Sequence, residues 1–199
     1  MKSQNRLHNQ QGPINVFPPL VWKYNYDFNW KTLKPRIEDL FSLVDKNSTL
    51  EKGEAWSTVT VHPDLQPHTW LDLRDFQLWL GGKIDEIRIQ NKFIDTHSSV
   101  SQSWINKHAP GGTTVEHSHS YTTFVVSSYL QCPTDSGNIE FKDPLEYHKD
   151  SWPIIPEETL YYEVPVTTND VLIFPGWLKH RVQPNLSTQD RYVMTFNIK

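Results

Sequence analysis

The chain lacks the features that mark several common classes of protein. Its 199 residues include one cysteine, Cys132, so no disulfide can form within the chain and we expect a reducing, cytoplasmic compartment. No run of 18 apolar residues occurs and no signal-peptide pattern follows Met1, so the sequence predicts neither a membrane span nor secretion. No run of five like charges occurs, and a net charge of −4 disfavours a nucleic-acid-binding face.

The N-terminal half carries helical patterns. Asn29 is a suitable N-cap for a helix from Trp30 to about residue 44, in which apolar residues recur at helical spacing. A second apolar stripe runs from Leu73 to Ile94 and predicts another helix. We expect it to start at Thr69, in a capping-box-like Thr-x-x-Asp, and to be broken or kinked at Gly81-Gly82.

The C-terminal half has a different character. From residue 101 about seven short β-type runs alternate with turn signals such as A-P-G-G, C-P-T-D-S-G and F-P-G. The sequence therefore predicts an α+β fold, a double-stranded β-helix (jelly roll) backed by N-terminal helices. We expect a single domain over residues 1–199: residues 1–15 frayed, 16–100 a helical support region, and 101–199 the jelly-roll core with a metal site.

Three histidines and an arginine define the candidate site. His117 and His119 form H-S-H, His180 follows after 60 intervening residues, and Arg191 stands eleven positions later. Imidazoles at i and i+2 on a strand point to the same face, and a third from a distant strand can complete one side of a metal site. Any one of these histidines alone would more often be structural, but the spacing of the trio favours metal binding. A non-haem iron(II) site needs such a facial set, with positions left open on the other side.

A cupin is one alternative. Gly111, with five residues between it and His117-x-His119, fits the start of that family's first motif. The glutamate expected after three or four further intervening residues is absent, because Thr123 and Phe124 stand there.

The final forty residues resemble the iron(II)/2-oxoglutarate-dependent oxygenases. N-D-V-L-I-F-P-G-W-L-K-H, followed by Arg191, reproduces that superfamily's strand, metal-binding histidine and keto-acid-binding basic residue in order. With H-S-H-S, S-S-Y-L-Q-C-P and S-G-N-I-E-F-K-D-P, residues 100–199 look most like a small group of oxygenases found in bacteria and marine phages. Most of the superfamily has Asp or Glu where His119 stands, whereas the small group tends to have this histidine.

The resemblance implies a role for each site residue. His117, His119 and His180 would bind Fe(II), and Arg191 would pair with the C5 carboxylate of the co-substrate 2-oxoglutarate. Tyr129 could donate to the same carboxylate.

Asn106 lies in W-I-N-K-H-A-P-G-G, which is similar to the N-x-Y-x-P-G segment of AlkB-type dealkylases. It could orient the keto acid or fix the tautomer of a ligand imidazole. Glu116 should point to the opposite face of the strand from His117, which makes it an unsuitable ligand. Trp104, Trp152 and Trp177 are candidate pocket walls or core residues.

The implied activity is oxidative decarboxylation of 2-oxoglutarate coupled to C–H hydroxylation of a small-molecule or side-chain substrate that the sequence does not identify. Two alternatives stay open: a cupin-like three-histidine dioxygenase that does not use 2-oxoglutarate, and a non-catalytic jelly-roll binding or structural module. Arg191 discriminates the 2-oxoglutarate-dependent enzyme from the cupin-like dioxygenase, since only an enzyme that uses 2-oxoglutarate needs it. The long link between residues 142 and 160 is a candidate substrate loop.

Overall fold

The computed structural model describes residues 21–44, 55–91, 98–144 and 160–199. It contains two α-helices, α1 (Trp30–Ser42) and α2 (Arg74–Asn91), and three short 3₁₀ turns at Pro63–Leu65, Pro67–Thr69 and Leu71–Leu73. The strands are β1 (Trp22–Asn25), β2 (Trp56–Ser57), β3 (Val100–His108), β4 (Thr114–His117), β5 (Phe124–Gln131), β6 (Ile139–Lys142), β7 (Tyr161–Val164), β8 (Asp170–Pro175), β9 (His180–Val182) and β10 (Arg191–Ile198).

The strands form two antiparallel sheets. The larger sheet has the order β1-β8-β5-β10-β3-β2 and the smaller has the order β4-β9-β6-β7. The α+β jelly roll predicted from the sequence is confirmed. Both edge strands of the larger sheet, β1 and β2, come from the N-terminal half, which therefore supplies strands as well as helices.

The helices cover one face of the larger sheet. Asn29 caps α1 as predicted, and its side-chain oxygen accepts a hydrogen bond from the Thr32 amide. Apolar side chains of α1, α2, β5, β8 and β10 form one continuous core. A second, smaller core lies between the two sheets and includes Val125, Phe141, Phe174 and Val193.

The start and the continuity of α2 differ from the prediction. The helix begins at Arg74, after a 3₁₀ turn, and the Thr69 hydroxyl donates to the carbonyls of Asp64 and Gln66 instead of capping it. The helix also continues through Gly81 and Gly82. Both glycines are exposed, so their low helix propensity weakens the helix by about 1 kcal/mol each without breaking it.

Strand β9 was not predicted, because its three residues are too few to show an alternating pattern. Most of the long 142–160 link, and the 1–15 segment expected to be frayed, lie outside the described residues. Neither α1 nor α2 is long and apolar enough to cross a lipid bilayer.

Candidate metal centre

The three predicted histidines meet at one end of the smaller sheet. His117 ends β4 and His180 begins β9, and the two are direct cross-strand partners. His119 follows two residues after β4, where its amide donates to the Gly176 carbonyl at 2.8 Å. One ligand atom from each imidazole can be chosen so that all three lie within 4.8 Å of one another, which brings the trio into reach of a single metal ion.

Each imidazole in this triad makes its hydrogen bond through Nδ1. His117 Nδ1 lies 2.9 Å from the Val115 carbonyl, His119 Nδ1 lies 2.7 Å from Asn197 Oδ1, and His180 Nδ1 lies 2.9 Å from the Leu178 carbonyl. A carbonyl oxygen can only accept, so each Nδ1 carries the proton and donates it. The lone pair of each ring is thereby left on Nε2. His119 Nε2 is buried and has no hydrogen-bond partner among the described residues, as expected of an atom that binds a metal.

Burial keeps two of the rings neutral. Desolvation, reinforced by the neighbouring His117, lowers the pKa of His180 from 6.5 to about 3. Desolvation also lowers the pKa of His119, although its hydrogen bond to Asn197 opposes the shift. Only a neutral imidazole has a lone pair to give a metal, so the environment favours the ligand form at neutral pH.

Aromatic side chains pack against two rings of the triad, those of His119 and His180. Trp104 stacks on His119 with 5.7 Å between centroids and 19° between planes, and Phe174 meets His180 edge-on at 4.8 Å. Of the tryptophans proposed as pocket walls, Trp104 lines the cavity described below, Trp177 is 57% exposed, and Trp152 lies outside the described residues.

Glu116 is separate from the triad, as predicted. Its carboxylate accepts a hydrogen bond from the Tyr161 hydroxyl at 2.5 Å and lies 3.5 Å from Lys142 Nζ and 3.6 Å from Lys179 Nζ. That hydrogen bond and the two cations lower the Glu116 pKa. The residue therefore belongs to an ionic cluster with β6, β7 and the turn before β9.

A cavity of about 250 Å³ opens beside the triad. Its walls come from alternate residues of β3, β5 and β10, together with β2, β4, β6 and β9. Besides the triad, the polar side chains on its wall include those of Asn106, His108, Thr114, Ser127, Tyr129 and Thr195. Two of the three predicted keto-acid contacts, Asn106 and Tyr129, are thus brought to one cavity with the metal ligands.

Arg191, the third predicted contact, lies behind this wall. Its side chain is fully buried, and Nη1 donates to the Ser136 carbonyl at 2.5 Å and to the Gly137 carbonyl at 2.8 Å. Its Nε and Nη2 have no partner within the described part of the chain. Arg191 is not among the described residues that line the cavity, but its charge acts on Tyr129 and His108, which are.

The structure adds residues that sequence reasoning missed. Asn197 holds the His119 tautomer, a role that had been considered for Asn106. Asn197 is 78 positions from His119 in the chain, and only the fold brings the two side chains together. His108 had no assigned role in the sequence, and it stands directly across from Arg191 in the β3–β10 pair.

Comparison with known families supports the sequence resemblance. Residues 102–197 match a family model described as "Putative 2OG-Fe(II) oxygenase". The matched segment contains all six predicted site residues. Among curated proteins, none matches the chain.

Similar solved structures share the fold at low sequence identity. SnoK, a non-haem α-ketoglutarate-dependent carbocyclase from nogalamycin biosynthesis, is 14% identical over 90% of this chain and 79% of its own, with a TM-score of 0.61. SnoN, an epimerase from the same biosynthesis, is 10% identical over 90% and 78%, with a TM-score of 0.60. HygX from Streptomyces hygroscopicus, solved with nickel and 2-oxoglutarate bound, is 13% identical over 90% and 82%, with a TM-score of 0.55.

Proposed function

We propose that the chain is an iron(II)/2-oxoglutarate-dependent dioxygenase that hydroxylates a C–H bond of a small-molecule or side-chain substrate, a proposal supported by the match of residues 102–197 to the "Putative 2OG-Fe(II) oxygenase" family model. The observation that carries the proposal is the triad itself. Two imidazoles from one H-S-H segment and a third from a distant strand converge, with every Nδ1 used in a hydrogen bond and every Nε2 left over. Packing alone gives no reason for that common orientation.

The donor set fits a first-row divalent metal. Neutral imidazole suits iron, zinc and copper, and the family model that residues 102–197 match favours iron among them. His117, His119 and His180 would hold the ion. Iron(II) there would supply the oxygen chemistry in which substrate C–H, O₂ and 2-oxoglutarate give substrate C–OH, succinate and CO₂.

The remaining side chains bind, orient and exclude water. Asn197, Val115 and Leu178 hold the three imidazoles in one tautomer, which raises their basicity as ligands. Trp104 and Phe174 cover two of the rings with apolar surface and limit the access of solvent.

Arg191 provides the charge for the co-substrate. A buried guanidinium whose Nε and Nη2 have no partner among the described residues is costly, and a carboxylate held at the neighbouring cavity wall would offset part of this cost through its opposite charge. Tyr129 adds a neutral hydroxyl at the cavity wall, because burial raises its pKa far above 10. We assign the distal carboxylate of 2-oxoglutarate to this end of the cavity.

The proposal is tested by adding Fe(II) and 2-oxoglutarate to the apo-protein without oxygen and recording the visible metal-to-keto-acid charge-transfer band. A saturable band is expected. Arg191→Gln keeps a polar side chain but removes the charge. This variant should bind 2-oxoglutarate about 30-fold or more weakly, while the iron stoichiometry stays unchanged. A wild-type protein that binds iron but gives no band would contradict the proposal.

A three-histidine dioxygenase that does not use 2-oxoglutarate is the second candidate. It is favoured by the absence of a carboxylate from the triad and by the position of Arg191 behind the cavity wall. This enzyme would bind iron normally, yet its turnover would not depend on a keto acid. Oxygen consumption with iron in the presence and absence of 2-oxoglutarate separates the two candidates.

A further inference from the structure

His108 is a buried histidine that neither the metal centre nor the fold accounts for. It ends β3, is 1% exposed, and forms part of the cavity wall. Its Nε2 lies 2.8 Å from Thr114 Oγ1, another residue of that wall. Its Nδ1 is buried and has no hydrogen-bond partner among the described residues. An unpaired nitrogen in the interior is unusual enough to require an explanation.

Two further unpaired nitrogens belong to Arg191, which pairs with His108 across β3 and β10. His108 and Arg191 are directly opposite each other in the β3–β10 pair, so their side chains emerge side by side on the same face. Arg191 Nε and Nη2 also lack partners. Three buried nitrogens of two neighbouring side chains are thus left without a partner among the described residues. A carboxylate at the cavity wall could accept a hydrogen bond from His108 and would be attracted by the charge of Arg191.

The protonation state of His108 decides what its Nδ1 can do. Burial, and then the charge of Arg191, hold the His108 pKa well below 6.5, so the ring is neutral and carries one proton. The Thr114 hydroxyl can donate its hydrogen to Nε2, and the proton of the ring is then on Nδ1. In this tautomer Nδ1 is a donor at the cavity wall, beside the two donors of Arg191.

We propose that His108, in the tautomer set by Thr114, donates Nδ1–H to the distal carboxylate of 2-oxoglutarate and so selects a keto acid that has a second carboxylate. The inference rests on the proposed function. It places His108, which lines the cavity, in contact with the carboxylate, while Arg191 supplies the positive charge from behind. Thr114 is then a positioning residue.

The test compares two ligands and two variants. 2-Oxobutyrate keeps the 2-oxo acid group of 2-oxoglutarate but has no distal carboxylate. In His108→Asn the amide nitrogen stands near the position of Nδ1, whereas in His108→Gln it stands near the position of Nε2. Calorimetry on the Fe(II)-loaded protein without oxygen gives a dissociation constant for each combination of protein and keto acid, independent of turnover.

We expect His108→Gln to weaken the binding of 2-oxoglutarate by about 10-fold or more, as for the loss of a hydrogen bond to a charged group. The affinity for 2-oxobutyrate should not change. His108→Asn should stay within about 3-fold of the wild type for both acids, because it keeps the donor. Thr114→Val should weaken 2-oxoglutarate by less than His108→Gln does. Iron stoichiometry and thermal unfolding of each variant check that the site is folded.

Three outcomes would overturn the inference. Equal weakening of both acids by His108→Gln would mean that His108 acts on the whole cavity and not on the distal carboxylate. Unchanged 2-oxoglutarate binding in that variant would remove His108 from the contact, while the proposed function would stand. Absence of 2-oxoglutarate binding by the iron-loaded wild-type protein would overturn both proposals.

Discussion

The two faces of β10 differ in what they contact. Tyr192, Met194, Phe196 and Ile198 pack with the helices in the larger core. The residues between them in β10 face the smaller sheet. Among these, Val193 and Thr195 line the cavity, and Asn197 accepts a hydrogen bond from His119. Because successive strand residues point to opposite faces, a step of one residue separates the packing that stabilises the fold from the groups that form the site. Substitutions on the two faces should therefore have separable effects.

The largest effect is expected from a substitution in the metal site, His180→Ala, and concerns iron affinity. Two imidazoles would remain, and the loss of iron affinity should exceed the roughly 10–100-fold that follows removal of an outer hydrogen-bond partner of a metal ligand. Iron stoichiometry after desalting, together with calorimetry, measures the effect. The exposed His62, which is outside the triad, supplies the control, and His62→Ala should bind iron as the wild type does. Full iron occupancy in His180→Ala would exclude the triad as the metal site.

On the helix side, Phe196→Ala should lower stability and leave the site unchanged. Phe196 is completely buried and packs against Phe76 of α2, so its truncation should cost about 3–5 kcal/mol in the free energy of unfolding. Urea denaturation measures this cost. Iron affinity of the folded variant should match the wild type, and a large loss of affinity would show that the two faces are coupled.

Its neighbour Asn197 should show the reverse pattern. Asn197→Ala removes the acceptor for His119 Nδ1–H and should weaken iron binding by about 10–100-fold, with little change in stability because the side chain is only partly buried. Asn197→Asp keeps an acceptor at the same position and should retain most of the affinity. If both variants bound iron as the wild type does, the hydrogen bond to His119 would have no role in the metal site.

The sequence predicted those features of the fold and of the site that depend on local patterns. Local periodicity predicted the helix at Trp30, the β-rich C-terminal half and the shared direction of His117 and His119. The predicted start of α2 was wrong because Thr69 ends the 3₁₀ turn Pro67–Thr69 and its hydroxyl donates back to Asp64 and Gln66, a detail of local hydrogen bonding that the capping pattern does not reveal.

The pairing of strands was beyond local reasoning. The places of His108 opposite Arg191 and of Asn197 beside His119 depend on which strands meet and in what register. Contacts between residues 83 and 78 positions apart cannot be inferred from spacing within one strand. Arg191 could be recognised as a site residue from its motif, but its position behind the cavity wall follows only from the fold.

The smallest effect is expected from Glu116→Gln, which tests the alternation on β4. Glu116 adjoins His117 but faces the Tyr161 hydroxyl and two lysines, so the variant should keep full iron binding. Its cost in stability should be below about 1 kcal/mol, because the cluster is partly exposed and screened by solvent.

The pH dependence distinguishes this charge effect from a loss of packing. The hydrogen bond from Tyr161, and then the charges of Lys142 and Lys179, hold the Glu116 pKa below 4.5 in the folded protein. The contribution of the carboxylate is therefore complete at neutral pH and is lost as the pH falls from 4.5 through the folded pKa. The stability difference between wild type and Glu116→Gln, measured by urea denaturation, should shrink over that range. A constant difference would attribute the effect to packing, and a loss of iron would mean that Glu116 reaches the metal across the strand.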